Sequence, residues 1–200
     1  MLKDQQGLNY RPTMTLKKIT HYLLLLHGYG SGANETIFYL EADLLQAQAE
    51  YITLAPEGTI NTEGRRFWNA TPECCGPAEP SVNDSAYLQS LIAQAKDQYS
   101  VDPAKIYVIG ISNGGFMAYR LACDTKGLLR GIVSIAGTMF ADTSTCQNKD
   151  PISVLQIHGT RDKVIPFADI GQRYPGARAS AEFWATNNEC QSFVEEKNKN

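Results

Sequence analysis

The sequence predicts an α/β fold in which a mostly parallel sheet carries helices on both faces. Short apolar, β-branched runs alternate along the chain with longer segments of helical periodicity. Strands that are buried on both faces are typically continuous apolar runs, and the helices between them form the crossover connections. Glycine-rich and polar segments directly follow several of these runs. Because the carboxyl ends of parallel strands meet at one edge of a sheet, we expect a functional site there.

The first part of the chain predicts a strand, a helix and a second strand. The apolar runs cover residues 21–28 and 51–56, and a helical pattern covers residues 34–50 between them. A loop rich in glycine, proline and asparagine follows over roughly residues 57–80. We expect this loop to connect the second strand to the next helix.

The remaining elements continue the alternation. A helix is predicted to begin at Ser81, with Asp84 three residues later in a variant of the capping box. Its apolar residues fall on one helical face: Tyr87, Leu88, Leu91, Ile92 and Ala95. The later elements are a strand at 105–111, a helix at 114–124, strands at 131–137 and 153–159, and a helix at about 178–188.

Length and charge indicate one ordinary globular domain over residues 1–200. The composition is 43% hydrophobic and 20% charged, and the net charge is −3. Lysine and arginine are scattered, so the sequence predicts no nucleic-acid partner. The longest apolar runs fall well short of the roughly 20 residues of a membrane span, so it predicts no membrane partner either. The first residues show no secretory signal.

Five cysteines leave two interpretations open. Cys74, Cys75, Cys123, Cys146 and Cys190 include no pair with zinc-site spacing, and we predict no metal site. They are either buried thiols of a cytosolic protein or disulfide partners in an exported one. The odd number leaves at least one cysteine unpaired. We expect the adjacent pair at 74 and 75 to bond to different partners.

Ser112 is the first candidate catalytic residue. It lies in the pattern Gly-x-Ser-x-Gly, directly after a predicted strand and directly before a predicted helix. A nucleophile elbow requires this order, with small residues such as Gly110 and Gly114 flanking the strained turn. The turn would also place the backbone N–H of Asn113 at a helix N-terminus, where an oxyanion is stabilised. The alternative is a glycine-rich turn with an incidental serine.

Two further segments supply the partners that such a serine needs. In "HGYG" (27–30), glycines let the backbone N–H of Tyr29 approach a substrate oxygen as a second oxyanion donor, although the segment could be a simple turn. Asp162 follows a predicted strand and comes after the serine, in the chain order Ser, acid, His. It could instead cap a turn or pair with Arg161. Asp142 and Asp150 are weaker candidates, because neither directly follows a strand.

Several motifs together resemble a known family. In order along the chain they are "LLLLHGYGSGAN", "APEGT", "RRFWNA", "CCGP", "GISNGGFMAYRLAC", "SIAG" and "HGTRDKVIPF". From about residue 22 to 190 the chain resembles the polyhydroxybutyrate-depolymerase-like and feruloyl-esterase-like serine hydrolases of the α/β-hydrolase fold. The resemblance implies that Ser112 is the nucleophile, Asp162 the triad acid, and Tyr29 and Asn113 the oxyanion donors. It also implies an exported, disulfide-containing protein that needs no cofactor.

The catalytic histidine of that family has no counterpart here. Family members carry it one strand after the acid, and this sequence has no histidine after Asp162. Of the three histidines present, His158 is the best stand-in base; His21 and His27 are poorer. We therefore expect a C-terminally truncated copy that lacks the last strand and the histidine segment. The strand at 153–158 would then be an apolar sheet edge.

The leading hypothesis is a serine carboxylic-ester hydrolase that acts through an acyl-enzyme on polyhydroxybutyrate-type, feruloyl or other small acyl esters. Trp68 and Phe167 are expected near the strand ends, where they would line an acyl or aryl pocket or else anchor the core and loops. The alternative is a catalytically dead relative that at most binds a ligand. An acyl transferase or a peptidase built on the same elbow is a third possibility.

Overall fold

A five-stranded parallel sheet forms the centre of the computed structural model, which describes residues 2–3, 9–10, 20–47, 51–75, 81–168, 173–192 and 194–196. The described strands are β1 (Leu2–Lys3), β2 (Asn9–Tyr10), β3 (Thr20–Leu26), β4 (Tyr51–Leu54), β5 (Thr59–Ile60), β6 (Arg66–Phe67), β7 (Val101–Ile111), β8 (Gly131–Ile135) and β9 (Ser153–Ile157).

Strand order in the central sheet is β4-β3-β7-β8-β9, and every neighbouring pair is parallel. The register places Ile111 opposite Ile135 and Ile135 opposite Ile157. The residues that follow β7, β8 and β9 therefore leave the sheet at the same edge. The short pairs β1–β2 and β5–β6 are antiparallel and separate from this sheet.

Helices cover both faces of the sheet, as predicted. The described helices are α1 (Ala33–Tyr39), α2 (Ala42–Ala47), α3 (Asp84–Gln98), α4 (Asn113–Asp124) and α5 (Ala177–Asn187). On one face, α1 packs on β3 and α2 on β4. On the other face, α4 packs on β7 and β8, α3 packs on α4, and α5 packs on β9. The α/β prediction is confirmed.

Alternating residues of β3 divide the core into two clusters. Leu24 and Leu26 belong to the larger cluster, with residues of α3, α4 and α5, whereas Leu23 and Leu25 pack with α1 and α2. Consecutive leucines are therefore all buried, because each face of the strand meets a helical layer. The predicted apolar face of α3 is confirmed: Leu88, Leu91, Ile92 and Ala95 are buried, and Tyr87 is partly buried.

Two predicted helix boundaries are wrong. The helix expected over 34–50 is two helices, separated where Glu41 has a positive φ of 48° that no helix accommodates. The helix expected to begin at Ser81 begins at Asp84 instead. Asn83 is its N-cap, and its side chain accepts a hydrogen bond from the N–H of Ala86 at 2.9 Å.

The last strand of the described sheet has one poorly covered face. Leu155 and Ile157 of β9 are 54% and 47% exposed. Val154 and Gln156, which point to the opposite face, are half-buried on the side where α5 packs. As predicted, the segment around 153–158 is an apolar sheet edge.

The cysteine pairing differs from the expectation. Cys123 is joined to Cys146, and Cys74 is joined to Cys75, so the adjacent cysteines do not have different partners. Cys190 is exposed and free. Among the described residues no helix is long and apolar enough to cross a membrane, and no cluster of ligating side chains could hold a metal ion.

Candidate active site

Ser112 lies at a sharp turn between β7 and α4. Its φ of 53° and ψ of −116° fall outside the regions that a serine normally occupies. Its N–H donates to the carbonyl of Ile135 at 2.7 Å, which ties the turn to the end of β8. The side chain is half-buried and makes no capping hydrogen bond to the helix. The hydroxyl is therefore presented at the edge of the sheet.

Two glycines make this turn sterically possible. A Cβ on Gly110 would lie 2.0 Å from the carbonyl oxygen of Gly114, and a Cβ on Gly114 would lie 2.3 Å from that of Leu26. Both obstacles are backbone atoms, which cannot rotate away as a side chain can. Helix α4 thus approaches strands β3 and β7 so closely that these positions accept only glycine.

Two backbone N–H groups flank the serine. Asn113 is the first residue of α4, so its N–H has no acceptor within the helix. On the other side, a Cβ on Gly28 would lie 3.5 Å from Cβ of Ser112, which brings the loop after β3 against the elbow. The N–H of Tyr29 has no hydrogen-bond partner among the described residues. Neither N–H is therefore used in a backbone hydrogen bond among the described residues.

The side chain of Tyr29 makes contacts that are separate from the predicted role of its backbone N–H. Its hydroxyl donates to Glu63 at 3.0 Å and accepts from the side chain of Asn61 at 2.9 Å, while Arg65 lies over its ring. These contacts fasten the loop after β3 to the turn between β5 and β6. The side chain of Tyr29 thus anchors the loop.

Asp162 lies in the loop after β9, with its two carboxylate oxygens in different situations. Oδ1 accepts hydrogen bonds from the N–H groups of Val164 and Ile165, at 2.8 and 3.0 Å. Oδ2 lies 3.6 Å from Nε2 of His158, too far for a hydrogen bond. Asp162 therefore caps this turn through Oδ1, as in the turn-capping alternative, whereas Oδ2 takes no part in the cap. Asp142 instead caps the turn at 143–145 through the N–H of Ser144.

The register sets the separation of acid and nucleophile. Ser112 follows β7 and the acid loop follows β9, two strands away, so the two segments leave the sheet about 10 Å apart at strand spacing. Tyr174 packs against the helix that follows Ser112: its ring meets that of Phe116 of α4 edge-on, with the ring centroids 5.1 Å apart. Burial and the negative charge of Asp162 both raise the pKa of the Tyr174 phenol.

His158 does not have a nitrogen free to act as a base. Its Nδ1 lies 3.1 Å from Nε2 of Gln156, and its Nε2 lies 2.7 Å from the carbonyl oxygen of Ile165. The amide of Gln156 is a donor and a carbonyl is an acceptor, so the ring carries its proton on Nε2. Both nitrogens are used in holding the acid loop to β9.

The other two histidines are also committed to structural contacts. His27 is fully buried: its Nε2 accepts from the N–H of Gly58 at 2.9 Å, and burial lowers its pKa. His21 lies in β3, away from the edge that carries Ser112, and its ring is 4.9 Å from that of Tyr51. None of the three histidines is placed as a base for the elbow.

The two expected pocket residues, Trp68 and Phe167, differ in burial. Trp68 is fully buried in the larger core cluster, and its indole N–H donates to the carbonyl of His27 at 3.0 Å. The expectation of a pocket wall is corrected for Trp68, since a side chain enclosed by core cannot touch substrate; the anchoring alternative fits. Phe167 is half-buried beside the acid loop, with its ring 6.3 Å from that of His158.

Sequence reasoning missed the residues that hold the loops in place. Gly58 and Gln156 each bond to a histidine of the site, and the side chain of Asn113 bonds to the backbone of Trp68. Gln156 carries a signal that could have been used, because a polar residue inside an apolar strand requires a buried partner. Gly58 carries none, since the partner of its N–H is distant in sequence.

Known proteins share both the sequence pattern and the fold. The sequence matches the phospholipase/carboxylesterase family over residues 14–192. It is 31% identical over 147 residues to feruloyl esterase C of Emericella nidulans, which covers 73% of this chain and 46% of that protein. The feruloyl-esterase-like resemblance is thereby confirmed. The chain spans about half the length of the curated relatives it matches.

Solved esterase structures have the same fold. Esterase PE8 superposes with a TM-score of 0.62 at 20% identity, over 91% of this chain and 83% of that one. Acetyl xylan esterase from Aspergillus awamori superposes with a TM-score of 0.62 at 15% identity, over 94% of this chain and 77% of that one. At these identities the likeness concerns the fold. With the family match extending over most of its length, this chain belongs to the phospholipase/carboxylesterase family.

Proposed function

We propose that the chain carries the nucleophile, the oxyanion donors and the acid of a serine carboxylic-ester hydrolase. One observation supports this most directly: Ser112 occupies a strained turn between two backbone N–H groups that have no acceptor among the described residues. Backbone strain persists at positions where function requires it, and a serine nucleophile that must reach its substrate is such a position. The family membership and the feruloyl esterase relative agree with it.

The proposed reaction has two halves. Oγ of Ser112 attacks the ester carbonyl and loses its proton to a base, and the carbonyl oxygen becomes an oxyanion between the N–H groups of Tyr29 and Asn113. The C–O bond to the alcohol breaks as the alcohol takes the proton back. Water then attacks the acyl-enzyme and releases the carboxylic acid. Oδ2 of Asp162 would orient the base.

The base is the component that the three histidines do not supply. His27 and His158 use both ring nitrogens in hydrogen bonds, and His21 lies away from the elbow. We propose that the base is a group other than these three. Because none of the three histidines is in place as the base, the turnover of the chain is expected to be low.

Feruloyl and small acyl esters such as acetate are the proposed substrate class. The names of a sequence relative and of a structural neighbour support these two acids. Phe167 beside the acid loop is proposed as one wall of the acyl or aryl pocket. The disulfide between Cys123 and Cys146 supports export to an oxidising compartment.

Imidazole rescue tests this proposal. Because no histidine is in place to serve Ser112, added imidazole should act as the base and raise p-nitrophenyl acetate hydrolysis by the chain in a concentration-dependent way. Ser112→Ala is the control, since it measures hydrolysis by imidazole alone. We expect a Ser112-dependent increase of at least tenfold and an acetyl group on Ser112 in the mass spectrum of the quenched reaction.

The second candidate function is a catalytically dead relative. The full use of His27 and His158 in structural hydrogen bonds favours it. Identical rates for the wild type and Ser112→Ala at every imidazole concentration, with no acetylated serine, would establish this alternative and refute the hydrolase.

A further inference from the structure

The ring of His27 contacts two backbone groups, and these contacts determine which ring nitrogen carries the proton. The N–H of Gly58 donates to Nε2 at 2.9 Å, so Nε2 carries a lone pair and the ring is neutral. The proton of the neutral ring is then on Nδ1, which lies 2.8 Å from the carbonyl oxygen of Gly28 and donates to it. The residue is fully buried, and its ring packs against that of Trp68 at 4.8 Å.

That carbonyl belongs to the same peptide group as the N–H of Tyr29. The structure has no cis peptide bond in its described residues, so this C=O and this N–H point in opposite directions. The carbonyl of Gly28 accepts from the His27 ring and also, at 3.2 Å, from the N–H of Ser31, and in this orientation the N–H of Tyr29 lies on the other side of the peptide plane. There it has no acceptor among the described residues, next to the Gly28 position that contacts Ser112.

We propose that His27 is a positioning residue for the oxyanion site: its Nδ1–H holds the peptide between Gly28 and Tyr29 in the orientation that presents the Tyr29 N–H to substrate. The inference deepens the proposed hydrolase function and rests on it. His27 touches no reacting atom; it acts through the peptide that does.

A chain of hydrogen bonds relates this peptide to the second donor. The indole of Trp68 donates to the carbonyl of His27 at 3.0 Å, and the side chain of Asn113 holds the N–H and the carbonyl of Trp68 at 2.6 and 3.0 Å. Asn113 also provides the other oxyanion N–H from its backbone. Both donors are therefore positioned against one buried residue, Trp68.

The segment around Gly58 is itself held by hydrogen bonds and an ion pair. Arg66 donates through a guanidinium N–H to the carbonyl of Gly58 at 3.2 Å, and the carbonyl of Arg66 accepts from the N–H of Gly30 at 2.8 Å. An ion pair between Arg66 and Glu57, at 3.1 Å, holds this segment in place. His27 therefore connects two segments: its Nε2 bonds to Gly58, and its Nδ1 bonds to Gly28 in the loop after β3.

Two substitutions separate these contacts. His27→Asn keeps a donor near the position of Nδ1 and loses the acceptor for Gly58. His27→Gln keeps an acceptor near the position of Nε2 and loses the donor to Gly28. Each removes one buried hydrogen bond, so a purely structural role would affect them alike, whereas a positioning role affects the second far more.

The readout is the affinity of phenylboronic acid, whose tetrahedral adduct with Ser112 places an oxygen between the oxyanion donors without any turnover. We expect His27→Gln to bind it at least tenfold more weakly, and His27→Asn to stay within about threefold of the wild type. Nitrogen-15 NMR of the wild-type ring should show the neutral Nδ1–H tautomer.

Each outcome is decisive. Equal affinities for the two variants, or an Nε2–H tautomer, overturn the positioning role while leaving the hydrolase standing. A wild type that forms no adduct, measured against Ser112→Ala, overturns the proposed function and the positioning role with it. Circular dichroism of both variants confirms that each is folded before affinities are compared.

Discussion

The side chain of Asn113 holds both polar backbone groups of Trp68: the N–H of Trp68 donates to Oδ1 at 2.6 Å, and Nδ2 donates to its carbonyl at 3.0 Å. All of these groups are buried. The side chain of the residue after Ser112 thus braces the loop, while its backbone N–H is the one proposed to bind substrate. The elbow and the loop before α3 are joined through this one residue.

Replacing Asn113 with alanine should destabilise the fold. The change leaves the buried N–H and carbonyl of Trp68 without partners, so we expect the free energy of unfolding to fall by about 2–4 kcal/mol. Denaturant unfolding measures it. Asn83→Ala, which removes only the exposed N-cap of α3, is the matched control and should cost about 1 kcal/mol. Equal losses for the two variants would contradict the bracing role.

Alanine at Gly110 should prevent the elbow from packing. Its Cβ would lie 2.0 Å from the carbonyl oxygen of Gly114, so α4 must move away from the sheet, and we expect a loss above about 3 kcal/mol. Gly159→Ala serves as the control, because its Cβ would meet only one atom, 4.0 Å away. Thermal unfolding followed by circular dichroism compares them. A Gly110→Ala variant as stable as Gly159→Ala would show that the turn is looser than described.

Acidification should selectively weaken the contacts of His27. Burial lowers its pKa below the ordinary value, despite the nearby carboxylates of Glu57 and Glu35, while the charge of Arg66 lowers it further. A histidine whose pKa is lowered in the folded state contributes stability that is present above about pH 6.5 and is lost as the pH falls toward the folded pKa. Protonation would also set two donors, Nε2–H and the N–H of Gly58, against each other.

His27→Gln does not titrate in this range, so the stability difference between wild type and variant should shrink as the pH falls from 7 to 5. Urea unfolding at a series of pH values gives that difference directly. A constant difference would mean that His27 binds its proton as readily in the folded chain as in the unfolded one, and a growing difference that it binds the proton more readily when folded; either contradicts the lowered pKa.

Thiol counting tests the disulfide pairing. The structure leaves Cys190 as the single free cysteine of five, so the denatured, unreduced chain should react with one equivalent of iodoacetamide. A tryptic digest without reductant should contain a peptide pair joined through Cys123 and Cys146. Three reactive thiols would refute the pairing of Cys74 with Cys75. Replacing Cys123 and Cys146 together with alanine should cost about 3 kcal/mol.

The sequence was sufficient for the parts of the fold that depend on local pattern. Strands β3, β7 and β8 each contain a short apolar run, and glycines flank Ser112 where a tight turn is needed, so the sheet and the elbow could be predicted. The break of the first helix at Glu41 was hidden, because the apolar periodicity continues across it. A single residue of positive φ leaves no trace in such a pattern.

The contacts that hold the site together could not be predicted from local sequence pattern, because they join residues far apart in the chain. Trp68 and Asn113 are 45 residues apart, and Trp68 and His27 are 41 apart. Trp68 could be assigned either to a pocket or to the core, since an aromatic residue near a strand end suits both. Only the three-dimensional arrangement shows that its indole is enclosed and that its N–H is satisfied by a carbonyl of the oxyanion loop.

The position of β9 gives the nucleophile and the acid unequal protection from local unfolding. Ser112 follows a strand with neighbours on both sides, whereas Asp162 follows the outermost strand of the described sheet. Edge strands open at a lower free energy than central ones. Amide hydrogen exchange should therefore be faster in β9 than in β7. In the proposed mechanism, transient detachment of this one strand would inactivate the site by displacing Asp162 while the turn at Ser112 stays intact.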